Sequence, residues 1–244
     1  MLRFIITVLF LIVFFIISIP LMLIELIIGL FNKNLQKRSS LFIVSHAFNI
    51  VAFLCGVKLT VKGEENVPKD EAVLYIGNHL SYFDVVITYA RVPRLTGYVA
   101  KKEFLKIPVL SWWMIFLDCL FMDRNDVKQS AQVIFSAIDK IKSGISVCIY
   151  PEGTRNKDDK TLMEFHKGSF KPAQRTNCPI VPMVVTHTRD IFEAHLPFIK
   201  SQHVILEYLP PVRYNDLSKE DQKQINEYFR NMIQTAYNKN LLEK

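Results

Sequence analysis

An uncharged apolar run near the start of the chain is the feature that most constrains its fold. No charged residue occurs from Phe4 to Ile24, and Ile, Leu, Phe and Val occupy every side of a helix drawn through these residues. A helix needs about 20 apolar residues to cross a hydrocarbon core, and this run is long enough. A secretory signal peptide would have a shorter apolar core and a small-residue cleavage site after it, which is absent here. The sequence therefore predicts a helix that holds the chain in a membrane.

The residues on either side of the run predict its orientation. Arg3 is the one charged side chain before it, whereas Lys33, Lys37 and Arg38 follow it. Because an excess of Lys and Arg marks the cytoplasmic side of a membrane segment, the rest of the chain is predicted to lie at the cytoplasmic side of the cell membrane. Pro20 is expected to kink or break the helix, because proline has no amide N–H to donate.

Two observations argue against a simple span through the whole apolar region. Glu25 lies among apolar residues, so a single span to Phe31 would carry a charge into the hydrocarbon. A second apolar stretch, Leu41 to Leu54, has about 14 residues, too few to span, so we expect it in the interface or packed on the first helix. We therefore predict a membrane-associated two-helix motif over residues 1–60 and an α/β domain over residues 61–244.

Composition narrows the class of partner without choosing one. The formal net charge is +7 at pH 7, which favours nucleic acid, an anionic membrane face, a phosphate-bearing substrate or an acidic carrier protein. The four cysteines are widely spaced, lie in or beside apolar sequence, and form no C-x-x-C pair. We expect buried free thiols in a reducing compartment, and neither a metal site nor a disulfide framework. They are Cys55, Cys119, Cys148 and Cys178.

From Val61 onward the pattern predicts an α/β fold, in which a mixed, mostly parallel sheet is flanked by helices. Five segments rich in Val, Ile and Tyr end at turn or charged residues and are predicted strands. Pro182 lies inside one of them and favours an edge position or a bulge. The predicted strands are Val73–Gly77, Gly97–Ala100, Ile145–Tyr150, Ile180–His187 and His203–Tyr208.

Two amphipathic helices are predicted in the same region. The first ends at Gly144, and the second begins with the capping pattern Ser218-x-x-Asp221. Helical spacing places apolar residues of each along one face. The first face has Val127, Ala131, Ile134, Ile138 and Ile141, and the second has Ile225, Tyr228, Phe229, Met232, Ile233, Ala236 and Tyr237.

His79 and Asp84 follow the strand that ends at Gly77. A neutral imidazole can take a proton from a hydroxyl, and a carboxylate on its other nitrogen fixes the tautomer. On a regular helix, residues five apart point about 140° away from each other, so a turn must bring the two together. The alternative is a strand-end histidine bonded to backbone, with Asp84 capping a helix. Ser81 lacks the G-x-S-x-G elbow of a Ser-His-Asp hydrolase.

Three further blocks carry cations and turn residues that suit a phosphate group. In the first, lysines flank apolar sequence, which suits an anionic headgroup whose tails remain in lipid. In the second, glycine permits a tight turn and arginine offers a planar fork to two oxygens. Each block taken alone is also typical of a solvated surface turn. The blocks are Lys101-Lys102-Glu103 with Pro108 and Asp123-Arg124, then Glu152-Gly153-Thr154-Arg155, then Lys167-Gly168.

Taken in order, these blocks resemble the lysophosphatidic acid acyltransferase family of membrane glycerolipid enzymes, in its bacterial type. The resemblance covers roughly residues 61 to 190, from Asn78-His79-x4-Asp84 to Val181-Pro182. It implies that His79 is a general base oriented by Asp84. It also implies a glycerophosphate site formed by Lys101, Arg124 and the loop Glu152, Gly153, Thr154 and Arg155, to which Lys167 adds a further cation.

The resemblance implies transfer of a fatty acyl group from an acyl thioester to the 2-hydroxyl of 1-acyl-glycerol-3-phosphate, giving phosphatidic acid for phospholipid synthesis. The expected donor is a thioester of acyl carrier protein or of coenzyme A. We expect no cofactor, no metal, no covalent intermediate and no nucleic-acid partner; the other partners are membrane lipids. Alternatives are acylation of another lysophospholipid or amphiphilic alcohol, a lipid hydrolase with Ser81 or a cysteine as nucleophile, and a non-catalytic lipid-binding scaffold.

Overall fold

A computed structural model describes residues 1–243 of the chain. Two long helices, α1 (Leu2–Phe31) and α2 (Lys33–Leu54), form an antiparallel hairpin at the start. Asn32 separates them in an extended conformation, and its side chain accepts a hydrogen bond from Leu35 N at 3.0 Å. This cap satisfies one of the free amides at the start of α2 and sets the reversal of the chain. Helix α2 packs on α1, as expected from the sequence.

Helix α1 continues through Pro20 to Phe31, so the break expected at this proline is wrong. The ring's fixed φ is compatible with a helix, and the cost is one missing backbone hydrogen bond. Glu25 is buried between the helices, where Ser39 Oγ donates to Glu25 Oε2 at 2.8 Å. Among the described residues, α1 is the one helix long and apolar enough to cross a membrane. Its length and composition are consistent with a membrane anchor.

The α/β part contains a seven-stranded sheet with the order β1-β7-β6-β2-β5-β3-β4. All neighbouring strands run parallel except β6 and β7, which are antiparallel. The mixed, mostly parallel sheet predicted from the sequence is therefore confirmed. The strands are β1 (Lys58–Lys62), β2 (Leu74–Gly77), β3 (Thr96–Lys101), β4 (Leu120–Met122), β5 (Ser146–Ile149), β6 (Ile180–Val185) and β7 (His203–Tyr208).

Helices cover both faces of the sheet, and a separate hydrophobic core lies under each face. The first core joins residues of α1 to α4, and the second joins residues of α5, α6 and α8. Buried strands alternate their side chains between the two, so Tyr75 faces the first core and Ile76 the second. The remaining helices are α3 (Tyr82–Tyr89), α4 (Leu110–Phe116), α5 (Val127–Lys142), α6 (Lys171–Thr176), α7 (Lys219–Lys223) and α8 (Ile225–Leu241).

Some element predictions need correction. Strands β1 and β4 were not predicted, because β1 is an exposed, lysine-bearing edge strand and β4 has three residues. Pro182 lies in an interior strand, so the edge alternative is wrong. Met183 pairs with Tyr208 while Ile180 bridges Val212, which leaves one extra residue opposite Pro182. This local bulge accommodates the missing N–H.

The two predicted amphipathic helices are present as α5 and α8. The capping contact is present, because Asp221 N donates to Ser218 Oγ at 3.1 Å, but it caps the short helix α7. The expected start of the second amphipathic helix at Ser218 is therefore wrong, since α8 begins at Ile225 with Gln224 as its N-cap. The apolar face predicted for α5 is partly wrong, since Val127 is exposed and Val133 is buried. The division of the chain at residues 60 and 61 stays a prediction.

Candidate active site

The chain leaves β2 at a fixed point, because Asn78 ties the end of that strand to the end of β6. Asn78 Nδ2 donates to Val185 O, and Asn78 Oδ1 accepts from Val185 N, both at 2.9 Å. Asn78 is fully buried, so neither hydrogen bond competes with water. The pair of bonds fixes the direction in which the next residue, His79, leaves the sheet.

His79 and Asp84 are in contact, as the sequence predicted. His79 Nδ1 lies 2.7 Å from Asp84 Oδ2. The turn that brings them together is the start of α3, where Ser81 is the N-cap and Asp84 is the third helical residue of a capping box. The pairing is therefore realised. Asp84 also contributes to the helix cap, but as the third helical residue, because the N-cap is Ser81 and not Asp84 as in the alternative.

The Asp84 carboxylate is buried and accepts hydrogen bonds from several directions. Its Oδ2 also accepts from Leu80 N at 2.7 Å and Ser81 N at 2.8 Å, and its Oδ1 accepts from Thr188 Oγ1. Because the ionised carboxylate is the acceptor in each of these hydrogen bonds, the proton between His79 and Asp84 lies on His79 Nδ1. His79 Nε2 then carries a lone pair, and no hydrogen bond within residues 1–243 uses it.

The His79 ring is held flat against Tyr150, with ring centroids 4.3 Å apart and planes 15° from parallel. Burial raises the pKa of Tyr150 well above its usual value, so this neighbour stays neutral. Its hydroxyl lies 3.2 Å from Thr88 Oγ1. The imidazole is thus fixed by the carboxylate at its Nδ1 edge and by the phenol ring at one face.

Glu152 joins the loop after β5 to the turn that carries His79. Its Oε1 accepts from His79 N at 2.8 Å, and its Oε2 accepts from Met163 N at 3.0 Å. Burial raises the pKa of this carboxyl, and the two amides offset part of that effect. Both oxygens are used by backbone, and a carboxylate repels phosphate. The structure thus places Glu152 as a support of the site, in contrast to the phosphate contact expected from the sequence.

Four of the residues predicted to bind phosphate line one surface cleft of about 200 Å³. These residues lie at or just after the ends of β3, β4 and β5. The three strands are parallel and end at the same edge of the sheet. Lys101 and Arg124 form no ion pair within residues 1–243, whereas their neighbours Lys102 and Asp123 pair with each other. The four are Lys101, Arg124, Gly153 and Thr154, and the other lining residues are Glu103, Met122, Asp123 and Asn125.

Gly153 is required by the shape of the loop that closes this cleft. Its φ is +70°, a backbone conformation that L side chains rarely adopt. A Cβ at this position would also lie 3.1 Å from the His166 ring. The glycine therefore lets the loop turn sharply between the buried Glu152 and the exposed Thr154.

Arg155 lies on the other side of that loop, beside the start of α3. Its Cζ is 3.8 Å from the centroid of the Tyr82 ring, and its Nη1 is 3.3 Å from Glu193 Oε1. Glu193 also accepts from Tyr82 N at 2.8 Å and from Ser81 Oγ at 2.7 Å. Glu193 was not predicted, because it lies in an irregular loop after β6 with no recognisable spacing to the other site residues.

Lys167 is not brought to the cleft. Its Nζ donates to Lys223 O at 2.5 Å, at the end of α7. The structure therefore separates this lysine from the other predicted phosphate ligands. Sequence spacing could not show this, because it does not determine which way a long flexible side chain points.

The candidate nucleophiles of a hydrolase are not presented to His79. Ser81 is buried and its hydroxyl bonds Phe83 N and Glu193. The four cysteines are free; three are buried and Cys119 is half-buried. Burial raises the pKa of Cys119 to about 12 and that of Cys178 above its usual value. Such thiols are poor nucleophiles near neutral pH.

Comparisons with known proteins identify related chains. The family model Acyltransferase matches residues 58–186. A protein of Borreliella burgdorferi named 1-acyl-sn-glycerol-3-phosphate acyltransferase is 29% identical over 80% of this chain and 78% of its own length. A protein of the same name from Saccharomyces cerevisiae is 27% identical, and the match covers 71% of this chain and 57% of that protein's length.

A solved structure has the same fold. The crystal structure of the 1-acyl-sn-glycerophosphate (LPA) acyltransferase PlsC from Thermotoga maritima matches with a TM-score of 0.80 at 22% identity. The match covers 99% of this chain and 99% of that one. The shared fold therefore includes the N-terminal helices as well as the sheet.

Proposed function

This chain belongs to the Acyltransferase family, and on that premise we propose that it acylates the 2-hydroxyl of 1-acyl-glycerol-3-phosphate. The product is phosphatidic acid, which enters phospholipid synthesis. The acyl donor is a thioester of acyl carrier protein or coenzyme A. The names of the relatives support this acceptor. The observation that carries the proposal is the His79–Asp84 pair, whose free imidazole nitrogen lies at the same sheet edge as the cationic cleft.

In the proposed reaction, His79 Nε2 removes the proton from the 2-hydroxyl as that oxygen attacks the thioester carbonyl. Asp84 keeps the ring in the required tautomer and stabilises the imidazolium that forms. The tetrahedral intermediate then expels the thiolate, which can recover the proton from His79. No covalent acyl-enzyme is needed, because the acceptor oxygen attacks the donor directly, and alignment of the two substrates supplies much of the rate.

The acceptor is aligned by its phosphate. Lys101 and Arg124 form no ion pair with a described side chain, although Glu103 also lines the cleft, and Gly153 and Thr154 of the loop after β5 line it as well. A dianionic phosphate suits this arrangement, since hydrogen bonds between charged groups are about twice as strong as neutral ones. Arg155 does not line this cleft; it lies over the Tyr82 ring beside the turn that carries His79 and is assigned to the phosphate from that side.

The apolar helix α1 supports a position of this chemistry at a membrane, where lysophospholipids are concentrated. The excess of basic residues after the apolar run supports a cytoplasmic position of the catalytic domain, at the side of the cell membrane that acyl thioesters can reach.

The test is an assay of the purified full chain with a panel of acceptors and with both donor types. We expect acyl transfer to 1-acyl-glycerol-3-phosphate, little transfer to the phosphate-free monoacylglycerol, and none to the analogue that lacks the 2-hydroxyl. Faster transfer to another lysophospholipid would replace the proposed acceptor. Release of free fatty acid with an acyl group trapped on the protein would show a hydrolase instead.

A further inference from the structure

Helix α4 of the sheet domain packs against the middle of the apolar helix α1. Trp113 Nε1 donates to Ser18 Oγ at 3.0 Å, and both residues are buried. The Trp113 ring also stacks on Phe14, with centroids 6.5 Å apart. Because Phe14 and Ser18 lie within the uncharged run, α4 is held at the level of the part of α1 that is most suited to lipid.

The opposite side of α4 exposes large apolar residues. Trp112 is 48% exposed, whereas its neighbour Trp113 is 2% exposed. Ile115 on the same helix is exposed, as are Leu105 and Ile107 in the turn before it. Four large apolar side chains thus face outward within a short stretch, and contiguous exposed apolar patches on proteins commonly mark binding surfaces.

Lysines border this apolar patch. Lys101, Lys102 and Lys106 are exposed, and Lys101 also lines the candidate phosphate cleft. Aromatic and aliphatic residues flanked by lysines are typical of segments that bind anionic membrane surfaces. Val109, between the lysines and α4, has a φ of 66°, which is strained for a β-branched residue. Strain of this kind is commonly retained where it serves a function.

We propose that the segment 101–116, here called the α4 segment, inserts its apolar side into an anionic lipid leaflet beside α1. The sheet domain would then contact the membrane directly, in addition to the N-terminal helices. Lipid is the occupant that fits, because α4 packs through Trp113 on the apolar helix α1, which itself exposes large apolar side chains, and because lysines lie beside the patch. The proposal rests on the membrane association that is part of the proposed function.

This placement has a consequence for the acceptor. Because Lys101 lies at the start of the α4 segment, the cleft is held at the level of the lipid headgroups. A lysophospholipid can then reach Lys101 with its phosphate while its acyl chain stays beside Leu105 and Ile107. The acceptor then need not leave the bilayer completely, so most of its acyl chain stays out of water.

The opposite face of the sheet provides a control position. Phe135 on α5 is 64% exposed, and α5 packs on the second core, across the sheet from α1 and α4. An aromatic residue at this position has an exposure comparable to that of Trp112 but faces away from the apolar helix. It is therefore expected to remain in water when the chain is bound to a membrane.

Tryptophan fluorescence on vesicles tests the proposal, because Trp112 and Trp113 are the two tryptophans of the chain. In the Trp113→Phe variant, Trp112 is the sole emitter. In the control, Trp112→Phe and Trp113→Phe are combined with Phe135→Trp. Both full-length variants are bound to vesicles of phosphatidylcholine and phosphatidylglycerol with or without bromine on the acyl chains, and circular dichroism confirms that each is folded.

We expect Trp112 emission to shift to shorter wavelength and to be lost on brominated vesicles, while emission from the Phe135→Trp control is unchanged. Two results would overturn the proposal although the chain sediments with the vesicles. One is Trp112 emission that brominated lipid leaves unchanged, and the other is equal quenching of the control. A chain that does not sediment with vesicles would refute the membrane association itself, whatever its acyltransferase activity.

Discussion

Arg155 Nη1 lies 3.3 Å from Glu193 Oε1, and the same carboxylate accepts hydrogen bonds from the first turn of α3. Glu193 therefore connects a proposed phosphate ligand to the turn that orients His79 and Asp84. The loop that carries Glu193 is also tied to the membrane helix, because Phe192 stacks on Phe4 with centroids 6.2 Å apart. This connection gives Glu193 a role in positioning Arg155.

We predict that Glu193→Gln raises the KM for 1-acyl-glycerol-3-phosphate about fivefold with little change in kcat, because a partly exposed charge pair is worth about 1 kcal/mol. The matched control is Asp190→Asn, which makes the same change of charge in the same loop without contacting Arg155. An unchanged KM in Glu193→Gln, or an equal rise in the control, would contradict the positioning role.

The geometry of the cleft predicts how the KM for the acceptor changes when one cation is removed. Lys101→Ala and Arg124→Ala should each raise the KM for the phosphate-bearing acceptor about tenfold or more, since a hydrogen bond to a charged group contributes about 1.5 to 3 kcal/mol. Lys167→Ala removes the same charge away from the cleft and should leave the KM near its original value. Initial rates over a range of acceptor concentrations check this, and a larger effect at Lys167 would restore its assignment as a phosphate ligand.

The burial of Glu152 predicts how its contribution to the free energy of unfolding depends on pH. At a pH below the ordinary pKa of glutamic acid, its carboxyl is protonated in both the folded and the unfolded chain. As the pH rises from there to the raised pKa of the folded state, the unfolded chain ionises first, so the contribution of Glu152 to the free energy of unfolding falls. Glu152→Gln cannot ionise and does not show this fall.

The check is urea unfolding in detergent at several pH values. The stability of the original chain relative to Glu152→Gln should decrease across the interval that starts at the ordinary pKa of glutamic acid. Glu164→Gln changes an exposed carboxyl in the same loop region and serves as the control. A difference between the original chain and Glu152→Gln that does not vary with pH would show that burial does not raise this pKa.

Alkylation of the cysteines distinguishes acyl transfer from cysteine-based hydrolysis. Burial raises the pKa of Cys119 to about 12 and also raises the pKa of Cys148 and Cys178. The thiols are thus protonated near neutral pH and react slowly. Alkylation of the folded chain with N-ethylmaleimide should leave acyl transfer unchanged. Rapid loss of activity in step with labelling of one cysteine would contradict this.

The chemical centre could be predicted from the sequence because local features determine it. A buried strand that ends at Gly77 presents His79 at a sheet edge, and parallel strands bring Lys101, Arg124 and Gly153 to the same edge. The grouping of Lys101, Arg124 and Gly153 was implied by the family resemblance, because strand order and the strand β4 before Arg124 were not predicted from the pattern. The contact between His79 and Asp84 was likewise implied by the resemblance and required a turn, which the structure provides as a capping box.

Features that depend on tertiary packing could not be predicted. Glu193 reaches the site from an irregular loop, and Glu152 turns inward to bond backbone amides although its sequence block suggested a phosphate contact. The edge strand β1 has only two apolar residues among five, Leu59 and Val61, which is a weak signal for a strand.

The activity of His79→Ala tests the central claim most directly. The purified variant is assayed for phosphatidic acid formation from 1-acyl-glycerol-3-phosphate and an acyl thioester, with His203→Ala, whose Nε2 lies 2.8 Å from Thr60 Oγ1 on β1, as the matched control. Loss of a general base should lower kcat about 10² to 10⁴-fold, while folding and vesicle binding are unchanged. A His79→Ala enzyme that retains the kcat of the original chain would contradict the assignment of His79 as the base.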